Sequence, residues 1–263
     1  MSAIVIREHL VHYEVIGRGK PLVFVHGWLG SWRYWVPAME DLSAGYRAYA
    51  LDLWGFGDSD RLIGHYNLNA YTELLGDFLA NLGVDSLCPV LVGHALGGIV
   101  ALHFAARFPE LVNRVMGVSV PLTADAIHRS LASFSGNGDA LARLGGRRTR
   151  FPEVELELPK TDVTAVTESV QSAVERNLCQ TLSPIQTHIL LVYGGDDPLI
   201  SAPQPDHMKD CGGNVRAIFL NGARHFPMLE ERTKFSRLLL DFLADDVDLA
   251  SLELKEEWQR RQR

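Results

Sequence analysis

The run Val90-Leu91-Val92-Gly93-His94-Ala95-Leu96-Gly97-Gly98-Ile99-Val100-Ala101 decides how this chain folds. Its first three residues suit a short buried strand, its glycines a tight turn, and the apolar residues after them a helix. Strand, turn and helix in this order match the G-x-S-x-G elbow that presents a nucleophile, except that Ala95 stands where the pattern has serine. The residue at the tip of such a turn has a strained backbone, so its neighbours must be small. Gly93 and Gly97 meet that need, and Gly98 lets the helix approach the sheet. Taken alone, the same residues also describe a plain strand-to-helix turn.

Further apolar runs lie on either side. Residues 3–6 and 11–15 suit a hairpin, and 21–25, 48–51, 115–120, 189–193 and 217–220 suit strands buried on both faces. Helical spacing of apolar residues fills the gaps over 68–82, 99–108 and 229–243. This alternation predicts an α/β fold with a mostly parallel, doubly wound sheet, whose ligands bind beyond the carboxyl ends of its strands. The alternation breaks between 121 and 183, where glycine-rich stretches at 134–139 and 143–150 precede a helical pattern over 164–178. We expect a small helical lid there, inserted between core segments 1–120 and 184–245. Residues 246–263 pair Glu256 with Arg260 and Glu257 with Arg261 at helical spacing, which predicts a tail helix docked on the surface.

Composition narrows the function classes. At 263 residues and 47% hydrophobic, the chain has enough apolar material for one large domain. A formal net charge of -7 without a basic stretch argues against nucleic acid as a partner. No apolar run is long enough to span a bilayer. Cys88, Cys179 and Cys211 form neither a disulfide framework nor a metal motif. With an N-terminus that lacks the apolar core of a signal peptide, they point to the cytoplasm. His9 and His12 share no ligand partners in the sequence, so no metal is expected.

Acyl transfer needs a nucleophile, a base, a carboxylate to orient the base, and N–H donors for the oxyanion. Ala95 holds the nucleophile position. Asp197 follows an apolar strand in Gly194-Gly195-Asp196-Asp197-Pro198. It is preferred to Asp196 because the longer reach suits a loop returning toward the elbow. His225 lies in Gly222-Ala223-Arg224-His225-Phe226-Pro227, after the last strand. The chain order of nucleophile position, Asp and His supports the assignment. The turn His26-Gly27-Trp28-Leu29-Gly30 supplies one oxyanion donor, the N–H of Trp28. The N–H of Leu96, at the positive end of the elbow helix, supplies the second.

These residues bring the chain to a known family. It resembles the α/β-hydrolase superfamily, in its lidded esterase, lactonase and C–C hydrolase branch. The resemblance rests on His26-Gly27-Trp28, Asp52-Leu53-Trp54-Gly55-Phe56-Gly57-Asp58-Ser59, Gly93 to Gly98, Gly195-Asp196-Asp197-Pro198 and His225 to Glu230. It implies a lid over the site, Trp28 and Leu96 as the oxyanion pair, a small-molecule substrate and no cofactor. Members that use aspartate as the nucleophile usually follow it with Trp, and Leu96 departs from them. Trp32, His94 and Phe226 are candidates to line an apolar pocket, with His128, Leu131 and Phe134 above them. The arginines at 143, 147, 148 and 150 fit a solvated lid surface better than an anion site.

The resulting expectation is a serine hydrolase for an ester or lactone of a largely apolar small molecule, working by a Ser-His-Asp mechanism. Here it is an inactive variant, with Ala95 in place of the nucleophilic serine. Two alternatives stand beside it: a natural non-catalytic ligand-binding protein on the same fold, and serine-independent chemistry by His225 and Asp197.

Overall fold

Leu22 to Val25, Leu91, Val92 and Ile189 to Tyr193 are fully buried, and the strands they form are the centre of one sheet. The computed structural model describes residues 2–135, 138–145, 151–175 and 177–254. Eight strands are present: β1 (Ser2–Ile6), β2 (His9–Gly17), β3 (Lys20–Val25), β4 (Tyr46–Leu51), β5 (Val90–His94), β6 (Arg114–Val118), β7 (His188–Gly194) and β8 (Val215–Leu220). Their order is β1-β2-β4-β3-β5-β6-β7-β8. Pairing is parallel from β4 through β8 and antiparallel at β1–β2 and β2–β4. This is the mostly parallel α/β sheet that the alternation predicts.

The helices are α1 (Val36–Leu42), α2 (Leu68–Leu82), α3 (Leu96–Arg107), α4 (Arg129–Ala132), α5 (Gly138–Gly145), α6 (Pro152–Glu155), α7 (Val163–Val174), α8 (Leu178–Leu182), α9 (Pro205–Asp210), α10 (Pro227–Glu230) and α11 (Arg232–Leu243). Local chemistry sets their ends. The Asn67 side chain accepts the Ala70 N–H at the start of α2, and Gly83, at φ +65, ends it. The expected helix over 229–243 is divided into α10 and α11, because Glu231 leaves helical geometry at φ -129 and ψ 46. The expected strand over 115–120 stops at Val118, because Ser119 turns the chain at φ +47. Among the described residues, no helix is long and apolar enough to cross a membrane.

The connection from β6 to β7 carries α4 to α8 and covers the stretch expected to be a lid. The helical pattern over 164–178 resolves into α7 and the start of α8, separated by an extended Asn177. Several bonds tie this connection to the loops beyond the strand ends. Ile127 bridges Ile200, the His128 N–H donates to the Leu199 carbonyl at 2.8 Å, and Asp162 N donates to Gly55 O at 2.7 Å. Arg33 meets the buried Glu157 at 2.6 Å. Residues 246–254 run as turns and irregular chain with Leu249 and Leu252 buried, and the rest of the expected tail helix lies outside the described residues. The arginines at 147, 148 and 150 lie outside them too.

Packing between α3 and the sheet leaves no room at Gly97, where a methyl group would run into the carbonyls of Val25 and His26. Gly97→Ala should therefore destabilise the fold by about 1–3 kcal/mol. A thermal melt should show a fall of about 2–4 °C per kcal/mol; an unchanged midpoint would contradict this packing.

Candidate active site

At the carboxyl end of β5, Ala95 has φ +46 and ψ -110, a conformation that side-chain-bearing residues avoid. Packing enforces it. The Ala95 N–H donates to Val118 O at 2.8 Å, and its carbonyl accepts the Ile99 N–H at 3.1 Å, which starts α3. A methyl group on Gly93 would strike the Gly97 carbonyl, and one on Gly98 would strike the Val120 side chain. The elbow expected from the sequence is therefore built in full, with alanine at its tip and a helix N-terminus directly behind it.

The turn after β3 lies against this tip. A methyl group on Gly27 would sit 3.0 Å from the Ala95 Cβ and 2.9 Å from His94 Nδ1. That closeness sets the turn after β3 against the tip of the elbow. The turn is held by His26, whose Nδ1–H donates to Gly27 O at 2.8 Å while Nε2 accepts the Leu53 N–H at 3.0 Å. Burial pushes the His26 pKa down, so the ring stays neutral in this bridging role. The Trp28 side chain is buried and donates Nε1–H to Ser169 on α7 at 3.0 Å.

The loops after β7 and β8 bring Asp197 and His225 together. His225 Nδ1 lies 2.9 and 3.1 Å from the two Asp197 carboxylate oxygens. Nδ1–H donates to the carboxylate, which leaves Nε2 as the basic nitrogen. Asp196 instead donates its N–H to Ala223 O and is exposed. Burial alone would raise the Asp197 pKa, but His225 beside it and the N–H groups of Leu199 and Ile200 bring it down to about 2. Glu230 braces the His225 loop by accepting the N–H groups of Arg224 at 2.5 Å and Phe226 at 3.3 Å. The His225 ring packs on His94, the residue before Ala95, at 4.6 Å between ring centroids.

The buried Asp197 has a consequence for stability. Its folded pKa of about 2 lies below the ordinary aspartate value of about 3.9, so its ionised form favours the fold. That contribution, about 2.5 kcal/mol, is complete above pH ~4 and is lost as pH falls through ~2. Urea unfolding of the parent chain and Asp197→Asn should show a difference that shrinks over this window. A difference independent of pH would refute it.

The remaining expected residues are placed as follows. Phe226 is buried against His94 and Tyr34, at 5.2 and 5.7 Å between centroids, and belongs to the core under the site. His94 is also fully buried, behind Ala95. Leu131 and Phe134 are buried in the core cluster, while His128 is exposed and its Nδ1 accepts the Ser130 N–H at the start of α4. Trp32 is not gathered into this group. Its ring lies 5.6 Å from His12 and under the Arg33 guanidinium, and it lines a separate groove of about 610 Å³ with Ile16, Val36 and Pro152.

The Asp52 motif is a structural tie. Its carboxylate accepts the N–H groups of Trp32 at 2.8 Å and Asp58 at 3.0 Å, and contacts His12 Nδ1 at 3.0 Å. Sequence spacing gives His12 no ligand partners, yet the fold supplies two: ligand atoms of His12, Asp52 and Asp58 lie within 4.8 Å of one another. They do not suit a metal, because the Lys160 ammonium already holds both Asp58 oxygens at 2.9 Å. Sequence reasoning also missed Tyr34 and Ser169, whose hydroxyls accept hydrogen bonds from the turn after β3. Nothing in their local sequence marks them.

Comparisons with known proteins agree with this architecture. The family described as alpha/beta hydrolase fold matches residues 20–166. The pimeloyl-[acyl-carrier protein] methyl ester esterase of Shewanella oneidensis is 24% identical over 94% of this chain and 100% of its own length. The 2-hydroxy-6-oxo-2,4-heptadienoate hydrolase of Pseudomonas putida is 28% identical over 87% of this chain and 91% of its own. Among solved structures, a serine-to-glycine mutant of the N-acyl homoserine lactonase AidH, complexed with N-hexanoyl homoserine lactone, superposes with a TM-score of 0.79 at 21% identity, covering 93% of this chain and 97% of that one. The enol-lactonase of Burkholderia xenovorans LB400 gives 0.80 at 18% identity, covering 92% and 99%. The chain belongs to the α/β-hydrolase family, and these two relatives are named as hydrolases.

Proposed function

We propose that this is a serine-hydrolase site for an ester or lactone of a largely apolar small molecule, occupied at its nucleophile position by Ala95. The observation that carries the reading is the strained Ala95 at φ +46, packed against the Gly27 turn and one residue from the His94 ring on which His225 rests. With serine at 95, His225 Nε2 takes the hydroxyl proton as Oγ attacks the carbonyl carbon. Asp197 holds the imidazole in the required tautomer and stabilises its charge. The oxyanion forms against the N–H groups of Trp28 and Leu96. Collapse expels the alcohol, which takes the proton from His225, and water repeats the sequence on the acyl-enzyme. The β6–β7 connection acts as the lid that keeps bulk water from these steps.

With Ala95 the first step has no attacking oxygen, so the chain binds and orients its substrate without cleaving it. The ester- and lactone-cleaving relatives and the lactone complex of a serine-to-glycine mutant support this substrate class. Calorimetric titration with a panel of esters and lactones tests it. Saturable binding without turnover is expected, followed by turnover of the bound compounds in Ala95→Ser. Absence of binding across the panel would sink the reading.

The intact His225–Asp197 pair supports a second reading, in which that pair alone abstracts a substrate proton or activates water. Here the alanine chain would itself be active, and His225→Ala would abolish that activity.

A further inference from the structure

Behind Ala95 runs a series of hydrogen bonds that the proposed reaction does not use. The Gly27 N–H donates to the Tyr34 hydroxyl at 2.6 Å. The hydroxyl lies 2.9 Å from His94 Nδ1, and His94 Nε2 lies 2.8 Å from the carbonyl oxygen of His225. Tyr34 and His94 are fully buried. The backbone groups at the two ends fix every role between them. Gly27 N–H can only donate, so it occupies a lone pair of the Tyr34 oxygen. The His225 carbonyl can only accept, so His94 carries its proton on Nε2. Nδ1 is then an acceptor, and the Tyr34 O–H donates to it.

We propose that Tyr34 and His94 are positioning residues that lock the oxyanion turn and the His225 loop into a single register across the elbow. One end of the series is the residue before Trp28; the other is the backbone of the base itself. Its middle, His94, is the residue before Ala95. Glu230 grips the amides on either side of His225, and His94 grips the carbonyl between them. The base is thus fixed by its backbone as well as by Asp197.

The series also holds its protonation through the neutral range. Burial and the nearby His225 push the His94 pKa well below the ordinary histidine range, and burial pushes Tyr34 well above the ordinary tyrosine value. A core that needed only volume here would use apolar rings, as it does at Phe24 and Trp35. A satisfied polar series specifies one geometry instead of one volume.

The kinetic consequence rests on the hydrolase reading; the structural one does not. In the unsubstituted chain, nitrogen NMR of labelled histidines should find His94 protonated on Nε2 and untitrated around pH ~6.5, where free histidine ionises. A proton on Nδ1 would overturn the assignment without any variant. Tyr34→Phe removes one oxygen and touches no atom of His225, yet it should displace the His225 Nδ1–H proton resonance. An unmoved resonance would overturn the coupling. In the Ala95→Ser background, Tyr34→Phe and His94→Phe should each lower kcat about tenfold or more with KM unchanged. The double variant should be no slower than His94→Phe alone, because both act through one series. Additive losses would refute the proposal. An inactive Ala95→Ser would refute the hydrolase reading and leave the NMR test standing.

Discussion

Ala95→Ser is expected to raise hydrolysis of a good substrate by about a millionfold over the alanine chain. The size follows from how little else has to change. A serine hydroxyl adds one oxygen to a Cβ already held at the tip of the elbow, in a backbone conformation that the alanine chain has adopted at φ +46. The turn after β3 lies so close that a methyl group on Gly27 would sit 3.0 Å from that Cβ. His225 already has its proton donated to Asp197 at 2.9 Å, and Asp197 is ionised from about pH 2 upward. The check is an assay on activated esters and lactones, together with a fluorophosphonate probe that reacts with activated serines. Labelling and turnover should appear together. Persistent silence in both would mean that the constellation around Ala95 is not a hydrolytic site.

The fold was legible in the sequence because its strands are buried on both faces and therefore read as continuous apolar runs. The elbow was legible for a different reason. The close approach of α3 to the sheet leaves glycine as the residue that fits at positions 93, 97 and 98, so geometry is written directly in residue type. Asp197 and His225 were legible through chain order, which records topology. Tyr34 was not: nothing in the run Ser31-Trp32-Arg33-Tyr34-Trp35 sets its ring apart, and its hydroxyl acquires a role only when Gly27 and His94 come together in space. The direction in which Trp32 faces was not legible for the same reason. Its neighbour in sequence, Ser31, starts a short helical turn at Trp32–Trp35, which sets the indole against His12. Aromatic residues declare burial, but the direction in which they face is a property of the assembled fold.

His225→Ala, made in the Ala95→Ser chain, should return kcat to within about tenfold of the alanine chain, a loss on the order of a millionfold. The serine would remain, but with no base its hydroxyl stays protonated and weakly nucleophilic. Asp197→Asn should cost about ten-thousandfold, because the imidazole survives in the wrong tautomer and can still act in part. The order of these two losses reports the division of labour: His225 moves the proton, and Asp197 orients the ring that moves it. The same substitution in the alanine chain separates the two functional readings. If His225 and Asp197 act without a serine, His225→Ala abolishes an activity that the alanine chain already has. If they serve a serine, the alanine chain has no activity to lose, and His225→Ala changes only its stability and its affinity for substrate. The loss should also unsettle Asp197. Deprived of the charge and hydrogen bond of His225, its buried carboxyl keeps only the amides of Leu199 and Ile200, so its pKa should rise above about 2. The acid limb of unfolding should move to higher pH with it. A His225→Ala chain with unchanged acid stability and unchanged kcat would mean that the contact at 2.9 Å serves neither the fold nor the chemistry.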